Sequence, residues 1–211
     1  LTKEKLRDAL QRTFGRATAA KLTRPANYDL LVAIHNVTQF ATTNFDPWLK
    51  DAVQEKHVAT HVDVVTPLVA HRFDRIEPTG PPRVWMLHGD ADEPAGCVLT
   101  QEPYDELIHA NAAWRRGVSG LLQQRHALFV GYSLSDPDLD FLLKEWKHVF
   151  TGSGTRHVLL SADASDEKAR VLAGKSVDVI RYSPANGHAE LGLILKHRAA
   201  PPGAPKRATK K

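Results

Sequence analysis

Three short clusters in this 211-residue chain hold residue types that could grip and cleave a small polar ligand. They are Thr42-Thr43-Asn44-Phe45-Asp46, Leu87-His88-Gly89-Asp90 and Gly131-Tyr132-Ser133-Leu134-Ser135-Asp136. Asn44 carries an amide that both donates and accepts hydrogen bonds, and Asp46 a carboxylate that accepts them. His88 has an imidazole that titrates near neutral pH, beside a glycine that lets a ligand approach the backbone closely. Gly131-x-Ser133 is a small turn with a hydroxyl and backbone N–H groups, suited to a phosphate or a ribose. A plainer reading stays open for each cluster. Asn44 and Asp46 can simply cap and turn, His88 is one of 11 histidines, and a lone Gly-x-Ser is a weak motif.

The elements around these clusters decide whether they can meet. Residues 37–43 are rich in β-branched and aromatic side chains and read as a buried strand that stops on Asn44. Pro47 then fits the first turn of a helix carrying Trp48, Leu49 and Val53, with Asp46 as its natural N-cap. The apolar runs 83–87 and 127–130 are strands that end on the second and third clusters. Asp136-Pro137 repeats the Asp46-Pro47 start and leads into a helix over 139–150. Further strands are expected at 61–65, 156–161 and 176–181, with helices over 2–20, 28–35, 102–122, 166–173 and 188–196. Strands that alternate with helices and read as solid apolar runs predict an α/β fold, a Rossmann-like, mostly parallel sheet with helices on both faces. The carboxyl ends of such strands share one side of the sheet, where ligands bind, so the three clusters can converge.

Composition sets outer limits. Hydrophobic content of 42% and charged content of 25% are those of an ordinary globular protein. The net charge of +4 is local, because residues 201–211 contribute four of the 28 lysines and arginines and leave 24 against 24 acids. Nucleic-acid binding by the body of the chain is therefore not expected. The one cysteine, Cys97, permits neither an intrachain disulfide nor a four-cysteine zinc site, so no metal and no zinc-binding small domain are expected. Cys97 is expected to be an inert packing residue next to a strand at Val98-Leu99. No run is apolar and long enough to span a membrane and no signal peptide is present, so a cytoplasmic protein is expected. Residues 1–198 are read as one domain and 199–211 as a disordered, basic, Pro-rich tail.

Taken together and in this order, the clusters resemble those of the sirtuin-like (silent information regulator 2-like) superfamily. Thr42-Thr43-Asn44-Phe45-Asp46 resembles its T-[QT]-N-[IYF]-D motif, Leu87-His88-Gly89 its H-G motif, and Gly131-Tyr132-Ser133-Leu134 its G-x-S-L motif. The longer stretches TTNFDPWL, LHGD with VLTQEPYDEL, and LFVGYSLSDPDLDFLL are similar to the bacterial branch whose members often serve as NAD-consuming effectors in anti-phage defence. The resemblance covers about residues 25–198. It implies an NAD-binding domain that cleaves the nicotinamide–ribose bond, with NAD as substrate and other protein domains or further copies of the chain as partners. By the same resemblance Asn44 holds the attacking water and the ribose hydroxyls, and His88 acts as general base or bonds the ribose. Asp46 orients the nicotinamide end or the Asn44 loop, Thr42 and Thr43 complete that segment of the pocket, and Gly131 and Ser133 meet the phosphate or the adenosine ribose.

Two departures shape these expectations. Without the four zinc-binding cysteines of the sirtuin deacylases, removal of acyl groups from lysine is not expected. The family's first strand and its Gly-Ala-Gly-x-Ser loop, which cradles the pyrophosphate, should precede the first helix, and Phe14-Gly15-Arg16 is no substitute. Either that segment lies upstream of Leu1 or the chain has lost it, and these 211 residues alone are expected to turn over little NAD. A second reading follows from the same departure: a non-catalytic sirtuin-like module that binds NAD or an ADP-ribose derivative for sensing or assembly.

Overall fold

The computed structural model describes residues 2–74, 80–100, 105, 111–132 and 155–200. They fall into two compact units, the first drawn from residues 1–68, 79–99 and 192 onward, the second from 69–78 and 100–191. Each holds a three-stranded sheet in which every pairing is parallel.

The first unit opens with α1 (Lys3–Phe14), whose start is fixed by the Thr2 side chain accepting a hydrogen bond from the Lys5 N–H. The single helix expected over residues 2–20 is broken at Gly15, after which α2 (Arg16–Ala19) resumes. A β-carbon at Gly15 would lie 2.5 Å from the Gln11 carbonyl oxygen, so the chain turns there only because the residue is glycine. Next come α3 (Ala26–Val32), β1 (Gln39–Thr42), α4 (Trp48–Lys56), β2 (Asp63–Val65) and β3 (Arg83–Met86). The strand order is β1-β3-β2, so β3 is central and all four of its residues are buried. Apolar burial on both faces is what a central parallel strand requires, and it is why Arg83–Met86 shows no alternation in sequence. Val32 of α3 and Leu49, Ala52 and Val53 of α4 form one cluster with Phe40, Val84 and Met86, so these two helices cover one face of the sheet. On the other face the Trp85 indole donates to Gln39 Oε1 at 2.9 Å and the Arg83 guanidinium lies 5.4 Å from the Trp85 ring centre.

The second unit contains α5 (Ala112–Gln124), β4 (Leu128–Val130), β5 (His157–Ser161), α6 (Asp166–Ala173) and β6 (Val177–Arg181), with strand order β4-β5-β6. The helix expected over 166–173 has those bounds, because Ser165 caps it by accepting from the Lys168 N–H, with Asp166 and Glu167 in the first turn. The helix expected over 102–122 is described from Ala112, where Asn111 accepts from the Trp114 N–H at 2.9 Å. The helix expected over 139–150 and the tail from 201 lie outside the described residues. The last element, α7 (Ala185–Ala199), has Asn186, Gly187 and His188 at φ of 54, 63 and 64°, a left-handed turn ahead of the regular helix.

His157, fully buried in the second unit, accepts the Ala127 N–H on Nδ1 at 3.0 Å and meets the Phe129 ring edge-on. Burial, with a smaller push from the neighbouring His126, holds its pKa down at about 4 from an ordinary 6.5. The unfolded chain protonates this ring below about pH 6.5 and the folded chain only below about pH 4. Its stabilising contribution is therefore complete above pH 6.5 and is lost as pH falls toward 4, by roughly 3 kcal/mol in all. Denaturant titrations across this window should show wild type losing stability toward acid more steeply than His157→Asn, which keeps an acceptor for Ala127 and cannot charge.

Candidate functional site

The first two clusters leave the sheet side by side. Thr42 of β1 is the register partner of Met86 of β3, and the Leu87 N–H donates to the Thr42 carbonyl at 2.8 Å, one step beyond the last strand residues. Asn44 and His88 each follow two residues after that register pair, so both emerge at the carboxyl ends of adjoining parallel strands. Phe45, next to Asn44 in the chain, links the first turn to the second. Its ring centre is 6.2 Å from that of His88 and 6.3 Å from that of Phe14, and its carbonyl accepts the Ala91 N–H at 3.0 Å.

Asn44 is exposed and held at two points. Its N–H donates to Thr42 Oγ1 at 3.0 Å, closing a tight turn, and its side-chain Nδ2 donates to the Tyr28 hydroxyl at 3.1 Å. Thr43, half-buried, follows directly on β1. Asp46 Oδ1 accepts the Trp48 N–H at 3.1 Å, and Pro47 already has helical angles (φ −79°, ψ −3°). Asp46 thus caps α4 as the sequence suggested, whichever residue is counted as the first of the helix. Burial raises its carboxyl pKa, and the hydrogen bonds from the Trp48 N–H and its own N–H partly oppose that shift.

The turn after His88 is built from glycine and charge. Gly89 has φ of +102°, and a β-carbon there would lie 2.8 Å from Cys97 Cα and 2.9 Å from Cys97 Sγ, so no other residue fits without moving the chain. The Gly89 N–H donates to the Met86 carbonyl at 3.0 Å and the Val98 N–H to the His88 carbonyl at 2.8 Å, which fixes the backbone on both sides of the imidazole. Asp90, buried, accepts a hydrogen bond from the ammonium of Lys50 on α4 and receives the Asp92 N–H at 3.0 Å. Lys50 also lies 3.8 Å from the Asp92 carboxylate, which accepts the Arg16 N–H at 2.8 Å. Arg16 in turn grips Asp51 with two hydrogen bonds of 2.8 and 3.0 Å. The Cys97 thiol donates to the Asp90 carbonyl at 3.1 Å, and burial, followed by the nearby Asp90 carboxylate, pushes its pKa up to about 12. It is the packing residue the sequence predicted.

Gly131 follows β4 in the second unit with φ of +70°, exposed and with nothing among the described residues within 4 Å of a β-carbon built on it. Its glycine identity therefore serves the backbone bend. Ser133 lies outside the described residues. Among the described residues there is no group of three or more His, Cys, Asp or Glu side chains able to hold a metal ion, and no helix is long and apolar enough to cross a membrane.

Sequence reasoning did not find Tyr28 or Lys50. Tyr28 sits 16 residues before the asparagine it holds, and nothing in the local pattern joins them. Lys50 did leave a signal, since it stands among Leu49, Ala52 and Val53 on the buried face of α4, where a lysine needs a carboxylate.

Comparison with known proteins adds an independent line. The model of the SIR2-like domain family matches residues 38–180. The NAD(+) hydrolase ThsA of Bacillus cereus (strain MSX-D12) is 25% identical over 140 residues, 66% of this chain and 28% of that protein. The NAD(+) hydrolase ThsA of Cytobacillus dafuensis is 26% identical over 121 residues, 57% of this chain and 24% of that one. A third protein of that name, from Acinetobacter baumannii (strain 532279), is 31% identical over 74 residues, 35% of this chain. The chain thus spans less than a third of the length of these curated relatives, at 28, 24 and 15%.

The Lys50–Asp90 pair makes a direct prediction, because removing one partner strands a buried charge. Lys50→Met is expected to cost about 3–5 kcal/mol of stability, with Lys50→Met/Asp90→Leu recovering much of it. Thermal and denaturant unfolding of the two variants against wild type measures both effects.

Proposed function

The chain belongs to the SIR2-like domain family, and from that premise we propose that it is the NAD-hydrolysing part of a larger protein. The bond cleaved joins nicotinamide to ribose, and the complete protein acts as an effector in bacterial anti-phage defence. The observation that carries the reading is the delivery of Asn44 and His88 to the ends of two hydrogen-bonded parallel strands, with the Phe45 ring 6.2 Å from that of His88. The names of the relatives as NAD(+) hydrolases support the substrate, and the sequence resemblance supports the defence role.

Hydrolysis needs little from the protein beyond placement. As the carbon–nitrogen bond to nicotinamide lengthens, positive charge spreads over the ribose C1′ and its ring oxygen, as in other glycoside cleavages. Nicotinamide leaves with the bonding pair, a water oxygen bonds to C1′, and the proton lost by that water goes to His88. Asn44, fixed through its backbone by Thr42 and through its amide by Tyr28, holds the water and the ribose hydroxyls. Thr43 and Asp46 complete that wall, and the resemblance assigns Gly131 and Ser133 to the phosphate or the adenosine ribose. We propose that the protein works in the cytoplasm alongside further domains or further copies of itself.

In the complete protein, Asn44→Ala and His88→Ala should each lower nicotinamide release from NAD by about 10²–10⁴-fold while leaving the fold intact. Chromatographic assay of nicotinamide, with circular dichroism as the control for folding, checks this. Unchanged cleavage by His88→Ala would remove that residue from the mechanism. NAD binding by calorimetry without nicotinamide release would instead favour the sensing module.

A further inference from the structure

We propose that Tyr28 is the positioning residue of the site, holding the Asn44 side-chain amide in place for the ligand. The inference rests on the proposed function and deepens it. Asn44 has two ends of opposite chemistry on one flat group, Nδ2 with two donors and Oδ1 with acceptor lone pairs. A free amide rotates, and a ligand that binds it must first stop that motion. Here Nδ2 is tied to the Tyr28 hydroxyl at 3.1 Å, while Oδ1 has no protein partner among the described residues and Asn44 itself is exposed. In this arrangement the amide is held in place and turns its carbonyl oxygen outward, where it accepts hydrogen bonds from hydroxyls and from water. A ribose hydroxyl or the attacking water is the matching donor.

The mounting of Tyr28 suits this task. It lies on α3, packs against the cluster that includes Val32, Phe40 and Leu49, and its ring meets that of Trp48 edge-on at 6.0 Å. Both contacts bind the ring, and neither needs the hydroxyl. Burial, then the nearby Asp46 charge, raises the phenol pKa, so the group stays a neutral hydroxyl at any pH where the protein works. The hydroxyl oxygen accepts from Asn44, and a neutral phenol does so without adding charge to a pocket where positive charge develops on the ribose.

Tyr28→Phe isolates the effect, since it deletes one oxygen and keeps the ring. The test is a cycle of wild type, Tyr28→Phe, Asn44→Ala and the double variant in the complete protein. Nicotinamide release is followed in single turnover by mass spectrometry, which reaches the slow Asn44→Ala rate. Tyr28→Phe is expected to lower the cleavage rate by about three- to tenfold, the worth of one hydrogen bond, with the NAD concentration for half-maximal rate within about twofold. In the Asn44→Ala background it should lower the rate no further, because there is no amide left to orient. An equal loss in both backgrounds would overturn the proposal, since Tyr28 would then act through the fold and not through Asn44. So would an unchanged rate in Tyr28→Phe, or a weakened half-saturation at unchanged rate. If wild type itself neither binds nor cleaves NAD, the proposed function fails first and takes this inference with it, an outcome distinct from the others.

Discussion

The site depends on the parallel pairing of β1 with β3. Parallel strands side by side run out at the same edge of a sheet, and here the pairing continues one hydrogen bond past the strands, from the Leu87 N–H to the Thr42 carbonyl. A shift of one residue in either strand would turn Phe40 or Met86 away from the cluster they share with Leu49 and Val53 and send Asn44 or His88 to the wrong face. Burial therefore protects the placement of Asn44 and His88. The apolar residues that fix the register are the ones whose displacement the fold tolerates least, and the polar residues follow from them at a set distance along the chain.

Charge does at the loop what apolar packing does in the strands. Asp90 has left the sheet and has no ladder to hold it, and the Lys50 ammonium ties it back to α4, the helix capped by Asp46. The helix that follows the first cluster thus also holds the turn that carries the second. A second buried pair, Arg83 with Asp63 at 2.8 Å, joins β3 to β2 at the start of the strands, where their register partners coincide. Buried pairs of this kind add little net stability over apolar residues, but each is costly to break singly and so specifies one arrangement.

Much of this was legible in the sequence, for physical reasons that vary by element. The strands and α4 could be read because apolar runs, Asp46-Pro47 and the polar strand ends are local signals, and the resemblance to the sirtuin-like superfamily joined them into one site. The bounds of α6 could be read because Ser165 and the acids after it sit next to the turn they cap. Partnerships that cross the fold were not legible. Tyr28 with Asn44 and Lys50 with Asp90 join residues 16 and 40 positions apart, and only the folded backbone brings them together. The break at Gly15 and the left-handed turn at Asn186–His188 were missed because each needs a backbone conformation that a helical apolar pattern does not encode.

The fit of Cys97 against Gly89 has a practical side. The sulfur fills the space where a side chain on Gly89 would be, its proton is bound to the Asp90 carbonyl, and it is the only thiol in the chain. Alkylating reagents attack the thiolate, and this one is both hidden and reluctant to ionise. Modification in the native state then requires a local opening of the packing around Cys97, to which Leu10 and Ala91 contribute along with Gly89. The rate at which a maleimide enters becomes a clock for the breathing of that packing, readable without any substrate.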